Sequence, residues 1–362
     1  MTRPTMKSGT LRGAILSSTS VLRPALSTVA AILGALLAGA IILTAIGFNP
    51  AEVYYTVFHE AWYTEFGIRK TLIETMPFLT IVSGLLVCFR AGLWNVGVQG
   101  QMIIGGLFAN IIGYVLGPLP SPLLIPVMLM AGMLGGIVWV LPSAIMKARW
   151  DLNEIVTTLM MNFIAIDLEL YLVKGPLRDP KISTHPMTTP VAPTAELPNI
   201  PGTEVHIGII IALALSFVIY LLMSRTTLGY QFRVLGYNIN AARYAGLSIS
   251  RLIILSLLVS GATAGLAGAV QVAGVMRNID PEWVPFYGFE AVPLVFLANF
   301  NALAVIPFSF LFSSFLVGGD LMHRAVGLPI FFIDVLLGLM LLFFGAAEAV
   351  RHLELRWRKV RG

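Results

Sequence analysis

The sequence predicts an all-α polytopic membrane protein, and three observations carry that prediction. Hydrophobic residues make up 57% of the chain and charged residues only 11%, with a mean hydropathy of +0.86. Apolar runs of roughly 18 to 25 residues recur along the chain, long enough to cross a hydrocarbon core about 30 Å thick. The runs at 29–46, 121–146 and 252–275 are near-continuous. A transmembrane β-barrel would instead show alternating segments of about 10 residues.

Taken in order, the first 23 residues hold Arg3, Lys7, Arg12 and Arg23 ahead of the first apolar run. That run is too long for the h-region of a cleaved signal peptide, so residues 1–24 read as a basic cytoplasmic lead. Ten spans are expected, at 25–46, 72–90, 99–116, 123–146, 153–173, 206–223, 252–276, 289–300, 303–317 and 330–347. The eighth and ninth are short and also read as one bent segment. Residues 25–348 form a single transmembrane domain on this reading, followed by a basic tail, 349–362.

Lysine and arginine favour the cytoplasmic side, which orients the spans. With both termini inside, Lys147, Arg149, Arg225, Arg233, Arg243, Arg251 and the tail residues Arg351, Arg356, Arg358, Lys359 and Arg361 join the N-terminal four there. That is 15 of the 23 basic residues. The pI near 9.4 is thereby an orientation signal, and the absence of a dense aromatic-interleaved basic patch excludes nucleic-acid binding. The single cysteine, Cys88, lies in an apolar run and reads as a small core residue; alone it forms neither an intrachain disulfide nor a thiolate metal site.

Two long loops fall outside on this topology, 47–70 and 174–205. The second carries Pro176, Pro180, Pro186, Pro190, Pro193, Pro198 and Pro201. Proline removes backbone donors, so this loop is expected as an extended segment over the outer mouth, a plain connector or a surface that docks a substrate-delivery protein.

The most distinctive stretch is FRAGLWNVGVQGQMIIGG, residues 89–106, a polar and glycine-rich interruption between apolar runs. Polar groups and irregular backbone at membrane depth are tolerated only where they line a cavity or pack inside protein. Phe89, Trp94, Asn95, Gln99 and Gln101 are therefore candidate pathway residues, as are Asn153 and Asn162 further on. Asn95 and Gln101 read equally as partners for backbone freed by the break, Trp94 as packing, and Asn153 and Asn162 as bridges between helices. Gly92, Gly97, Gly100, Gly105 and Gly106 allow close backbone approach, and Gly261, Gly265 and Gly268 read as helix-packing positions. Trp283, Phe286 and Tyr287 beside Pro281 and Pro285 read first as an interfacial belt and second as a gate.

No catalytic constellation is present: there is no G-x-x-x-x-G-K-[ST] loop, no G-x-S-x-G elbow, and the histidines His59, His185, His206, His323 and His352 are scattered. Transport driven by ATP would need an engine on another polypeptide. The longest cytoplasmic loop, 224–251, supplies a place for it to push. Residues 239–247 read as a short helix opened by Asn238 or Asn240 and closed by Gly246. Arg233, Asn238, Arg243, Tyr244 and Gly246 are the coupling candidates. Arg90, Asp167, Glu169, Glu290 and Asp334 are the ionisable residues in or beside spans. Asp167 and Asp334 keep open the alternative of an ion-coupled secondary transporter.

The 89–106 stretch resembles the FRAGLFNIGVEGQ signature of permease subunits of bacterial ABC importers for nucleosides and simple sugars. These belong to the branch associated with basic membrane lipoprotein binding components, within the branched-chain amino acid/ribose-type permeases. NEIVTTLMMNFIA (153–165), GYNINAARYAGLSISR (236–251) and GLPIFFIDVLLGLMLLFFGAAE (327–348) are similar to further motifs of that branch, in the same order. Departures are Trp94 for phenylalanine, Gln99 for glutamate, Pro293 and Asn299 in a segment usually of small residues, and Leu337 for glutamine. The resemblance implies a non-catalytic membrane subunit in the bacterial cytoplasmic membrane with no bound cofactor. ATP and Mg are used by a partner ATPase, a second permease subunit sits alongside, and a periplasmic or lipoprotein solute-binding protein delivers the solute.

Overall fold

The computed structural model describes residues 29–181, 185–281, 283, 287–329, 331–340, 342–343 and 345–346. The basic lead 1–24, the tail 349–362, Pro285 and Phe286 lie outside them. The helices are α1 (Val29–Ala45), α2 (Pro50–Tyr63), α3 (Glu65–Arg90), α4 (Val98–Val115), α5 (Ser121–Trp150), α6 (Glu154–Lys174), α7 (Gly208–Arg225), α8 (Thr227–Tyr237), α9 (Ile239–Tyr244), α10 (Ile249–Gln271), α11 (Tyr287–Leu297), α12 (Val305–Val326) and α13 (332–340). Among the described residues no β-strand forms, only the isolated bridges Arg178↔Thr188 and Asn199↔His206.

Seven of these helices, α3, α4, α5, α6, α7, α10 and α12, are long and apolar enough to cross a membrane. The pair α1 and α2, bent by 118°, makes an eighth if it is one span. The expectation of ten spans is not reproduced among the described residues. The expected eighth span is α11, whose 11 residues rise only about 16 Å, half a bilayer core. It is separated from α12 by a turn in which Asn299 and Phe300 both have positive φ, 51° and 54°. The expected tenth span falls partly on residues outside the description.

The chain divides into two compact units, 1–57 with 319–362, and 58–318. Within the first, the Tyr54 hydroxyl donates to Leu36 O at 2.7 Å, and Gly39 lies against Tyr54, Leu336 and Phe332. Within the second, α4, α5 and α10 form the innermost contacts. Glycine makes them possible. A Cβ on Gly265 would stand 2.1 Å from Gly132 O, one on Gly136 2.0 Å from Gly261 O, and one on Gly268 2.1 Å from Met102 O. Backbone meets backbone along the whole seam, the packing that small residues allow between membrane helices. α3 lies on α10, with Gly84 seated on Thr263 and the Cys88 thiol donating to Ser256 O at 3.1 Å, so Cys88 is the buried core residue expected.

Local signals set the ends. Thr64 caps α3 by accepting from Gly67 N, Asn153 caps α6 through Ile155 N and Val156 N, and Thr226 caps α8 through Gly229 N, each taking an orphan donor of a first turn. Among its described residues the proline-rich loop forms no long helix, only a 3₁₀ turn at Pro193–Ala195. It is held by backbone bonds from Thr188 N to Ile279 O, Val191 N to Arg277 O and Leu197 N to Ala273 O, across the far ends of α4 and α10.

Candidate functional site

The break between α3 and α4 is built from its backbone outward. α3 ends as Gly92 enters the left-handed region, φ 75°, with Gly92 N donating to Phe89 O and Leu93 N to Cys88 O, the paired bonds of a Schellman stop. Gly92 is required twice, because a Cβ there would also meet the Gly236 Cα of α8 at 3.2 Å. The backbone then runs non-helically to Gly97, and its freed groups are satisfied from three directions. Asn95 Oδ1 accepts from Gly97 N at 3.1 Å. Val96 N donates to Thr158 Oγ1 at 3.2 Å. Asn162 Nδ2 donates to Val96 O at 2.9 Å while its Oδ1 accepts from Gly100 N at 2.8 Å.

Asn162 therefore caps α4 from a different helix, since Gly97 has no side chain to do so. Thr158 and Asn162 lie on the buried stripe of α6 with Glu154, at i, i+4 and i+8. Glu154 Oε1 accepts from Trp94 N at 3.4 Å, and its Oε2 pairs with Lys147 Nζ at 3.1 Å. Asn153 stands apart, exposed and capping α6.

The candidate side chains separate into two groups. Asn95 and Gln101 are buried and hold each other: Asn95 Nδ2 donates to Gln101 Oε1 at 2.9 Å, and Gln101 Nε2 to Asn95 Oδ1 at 3.0 Å. Asn95 Nδ2 also reaches Ser260 Oγ of α10 at 2.9 Å. Gln99, equally buried, leaves its Oε1 without a partner. The first turn of α11 lies directly over it, since a Cβ on Gly288 would fall 2.7 Å from Gln99 N. The preceding residue, Tyr287, donates its hydroxyl to Glu74 Oε2 at 2.6 Å and sets its ring edge-on to Phe78, centroids 5.0 Å apart.

Trp94 is 40% exposed. Its ring lies 4.9 Å from Phe89 and 5.6 Å from Phe296. Beside this trio the Arg90 guanidinium donates twice to Phe300 O, at 3.1 and 2.8 Å, and lies over the Phe300 ring. Arg90 is thus held by a carbonyl and a ring. Of the expected aromatic belt, Tyr287 turns inward to Glu74 and Trp283 lies on Gly106. Of the ionisable candidates, Asp167 and Asp334 are exposed, whereas Glu169 is buried with both oxygens unpartnered.

The loop expected to serve coupling, 224–251, folds into two helices. α8 packs on α7 and α3, and Arg233 Nη1 donates to Met223 O. α9 begins at Asn238, whose side chain accepts from Asn240 N and Ala241 N. It stops at Gly246, φ 74°, with Leu247 N donating to Ala242 O. Only Ala242 of α9 is buried. Tyr244 is 94% and Tyr237 84% exposed, and Arg243 lies beside Tyr244 on the same open surface.

The sequence does not single out Thr158, Ser260, Gly236 or Glu74. The signal for Thr158 was its i+4 spacing between Glu154 and Asn162, which places all three on one helical face. Ser260 and Gly236 meet the break through tertiary packing alone. No group of three or more histidine, cysteine, aspartate or glutamate side chains able to hold a metal occurs among the described residues.

The profile of the family described as branched-chain amino acid transport system / permease component matches residues 67–345. The glucose ABC transporter permease protein TsgB13 of Haloferax volcanii is 30% identical over 88% of this chain and 86% of its own length. The guanosine ABC transporter permease protein NupP of Bacillus subtilis is 29% identical over 91% of this chain and 95% of its own. The nucleoside ABC transporter permease protein NupB of Lactococcus lactis is 28% identical over 80% and 82%. The match begins within α3, takes in the break, the Asn162 stripe and the α8–α9 loop, and closes near the end of α13; the chain belongs to the permease component family of branched-chain amino acid transport systems.

Proposed function

We propose that this permease carries an uncharged, ring-bearing solute rich in hydrogen-bond donors, a nucleoside first and a simple sugar second, inward across the bacterial cytoplasmic membrane. The observation that carries this reading is Gln99 Oε1, a buried acceptor left open where Asn95 and Gln101 satisfy each other. A buried acceptor without a donor costs about 1–3 kcal/mol, which a hydroxyl or amino group of a passing solute recovers. Tyr287, one residue before the glycine seated on Gln99, offers its hydroxyl to Glu74. Trp94 presents an exposed indole face on which a base or sugar ring stacks. The relatives named for guanosine, nucleoside and glucose transport agree with that chemistry.

Energy comes from a separate ATPase subunit using ATP and Mg, docked on α9 at Arg243, Tyr244 and the surface formed with Asn238 and Gly246. A second permease completes the path, and a periplasmic or lipoprotein binding protein delivers the solute. The orientation follows the basic residues. Lys147 and Arg149 end α5, and Ser250 Oγ at the start of α10 donates to Ala148 O at 3.1 Å, so they share one end of the bundle with Arg243 and Arg251. That end is cytoplasmic on the charge rule, with both termini on the same side.

Reconstitution with the ATPase and partner permease tests the reading. Gln99→Leu is expected to lower uptake about tenfold, the loss of one hydrogen bond to a buried partner, with ATPase assembly intact; uptake equal to the unaltered complex overturns it. A second reading, ion-coupled transport, draws on Glu169, buried without a partner. Uptake that survives loss of ATP and collapses with a protonophore would favour it.

A further inference from the structure

α10 begins beside α9 and ends, 23 residues on, beside a cleft of about 690 Å3. The helix rises about 35 Å over that length, so the cleft lies a membrane's thickness from the coupling surface. Its walls differ in character. Ile125 and Pro126 of α5 and Ile207 ahead of α7 are apolar, and they continue onto the outward faces of α5 and α7. Those faces carry exposed Leu123, Met130 and Leu134, and Ile210 and Phe217. Only 33% and 28% of these two spans is buried within the chain. At the mouth the cleft is ionic: Arg277 Nη2 pairs with Glu196 Oε2 at 2.8 Å. The arginine side chain is 62% exposed, so most of its five donors remain open to a ligand.

This mouth is built. α10 gives way to a π-helical turn, Val272–Met276, after which Arg277 takes φ 64°, a conformation rare outside glycine. Three backbone bonds hold it there, from Arg277 N to Val272 O, Val191 N to Arg277 O and Leu197 N to Ala273 O. The His206 ring is seated on Gly274 behind it.

An apolar wall continuous with the exposed apolar faces of α5 and α7, ending in one anchored cation and one anion, complements an amphiphile with a zwitterionic head. A net anion meets Glu196, and a net cation meets Arg277. We propose that the cleft binds a phospholipid with a primary ammonium headgroup, its phosphate on Arg277, its ammonium on Glu196 and its first acyl segment along Ile125, Pro126 and Ile207. The site stands apart from the solute path and requires no particular solute.

Native mass spectrometry of the full chain, delipidated and re-exposed separately to phosphatidylethanolamine, phosphatidylcholine and phosphatidylglycerol, tests this. The unaltered protein is expected to retain phosphatidylethanolamine about fivefold over the other two, the value of one charge-assisted hydrogen bond at a half-exposed site. Glu196→Leu, which leaves no acceptor for an N–H, erases the preference over phosphatidylcholine, whose quaternary ammonium has no N–H to donate. Arg277→Gln lowers retention of all three, and Arg149→Gln, at the other end of the bundle, leaves retention unchanged. Equal retention of the three lipids by the unaltered protein overturns the proposal, as does a preference that persists in Glu196→Leu. Both readouts stand even if Arg277→Gln fails to fold.

Discussion

Asn162 makes two hydrogen bonds that no backbone partner supplies, to Val96 O and from Gly100 N. Asn162→Ala leaves the buried Gly100 N and the part-buried Val96 O unpaired, at about 1–3 kcal/mol for the buried group, and is expected to lower the unfolding temperature in detergent clearly. An unchanged Tm would show that the break holds itself. Gly265→Leu forces a side chain into Gly132 O and is expected to abolish stable folding, whereas Gly338→Ala, with open space around it, is expected to be neutral; similar Tm values for the two would contradict backbone-to-backbone packing. Burial alone pushes the His206 imidazole down to about 4. The unfolded chain takes up this proton first, near pH 6.5, so stability is full above that pH and declines as pH falls towards 4. His206→Leu should flatten that decline relative to the unaltered protein in unfolding scans from pH 7 to pH 4; identical slopes would contradict a neutral buried ring. At this scale residue types were legible but partners were not. The sequence marks Asn95, Gln99 and Gln101 alike, and only the fold separates a reciprocal amide pair from an open acceptor, because Ser260 and Gly288 arrive from distant helices.

Among the elements, α9 was the most readable from sequence, since Asn238 as a cap and Gly246 as a stop are local signals with local causes. α8 was not, because its helix is fixed by packing on α7 and α3. α11 has the apolar composition of the expected eighth span but only 11 residues, and the positive-φ turn at Asn299 and Phe300 separates it from α12. Asn238→Ala removes the two side-chain bonds to Asn240 N and Ala241 N, costing about 1 kcal/mol. It is expected to loosen α9 and weaken ATPase association without affecting membrane insertion. Arg243→Glu, at an exposed site on α9, should reduce ATPase-coupled uptake strongly while Tm stays level. Pull-down and uptake equal to the unaltered chain would remove α9 from the coupling role.

The whole molecule joins a glycine-packed core of α4, α5 and α10 to a broken α3–α4 segment, with an exposed two-helix loop touching that break through Gly236 and Gly92. Because this contact is backbone to backbone, a displacement of α8 would reach the break with little slack. That contact would link the proposed coupling surface to the proposed path. Gly236→Ala, which drives a methyl into Arg90 O, is expected to uncouple ATP hydrolysis from uptake. The helical membrane class and the order of its motifs were legible because composition and periodicity are properties of the chain alone. The number of crossings was less so, because the 11-residue α11 has the composition of a span without its length. The most direct measurement is radiolabelled guanosine uptake into vesicles containing this chain, its partner permease, the ATPase and the binding protein, with ATP, without ATP, and with a protonophore. Uptake that requires ATP, ignores the protonophore and falls in Gln99→Leu is the predicted result; uptake that proceeds without ATP and stops with the protonophore would contradict it.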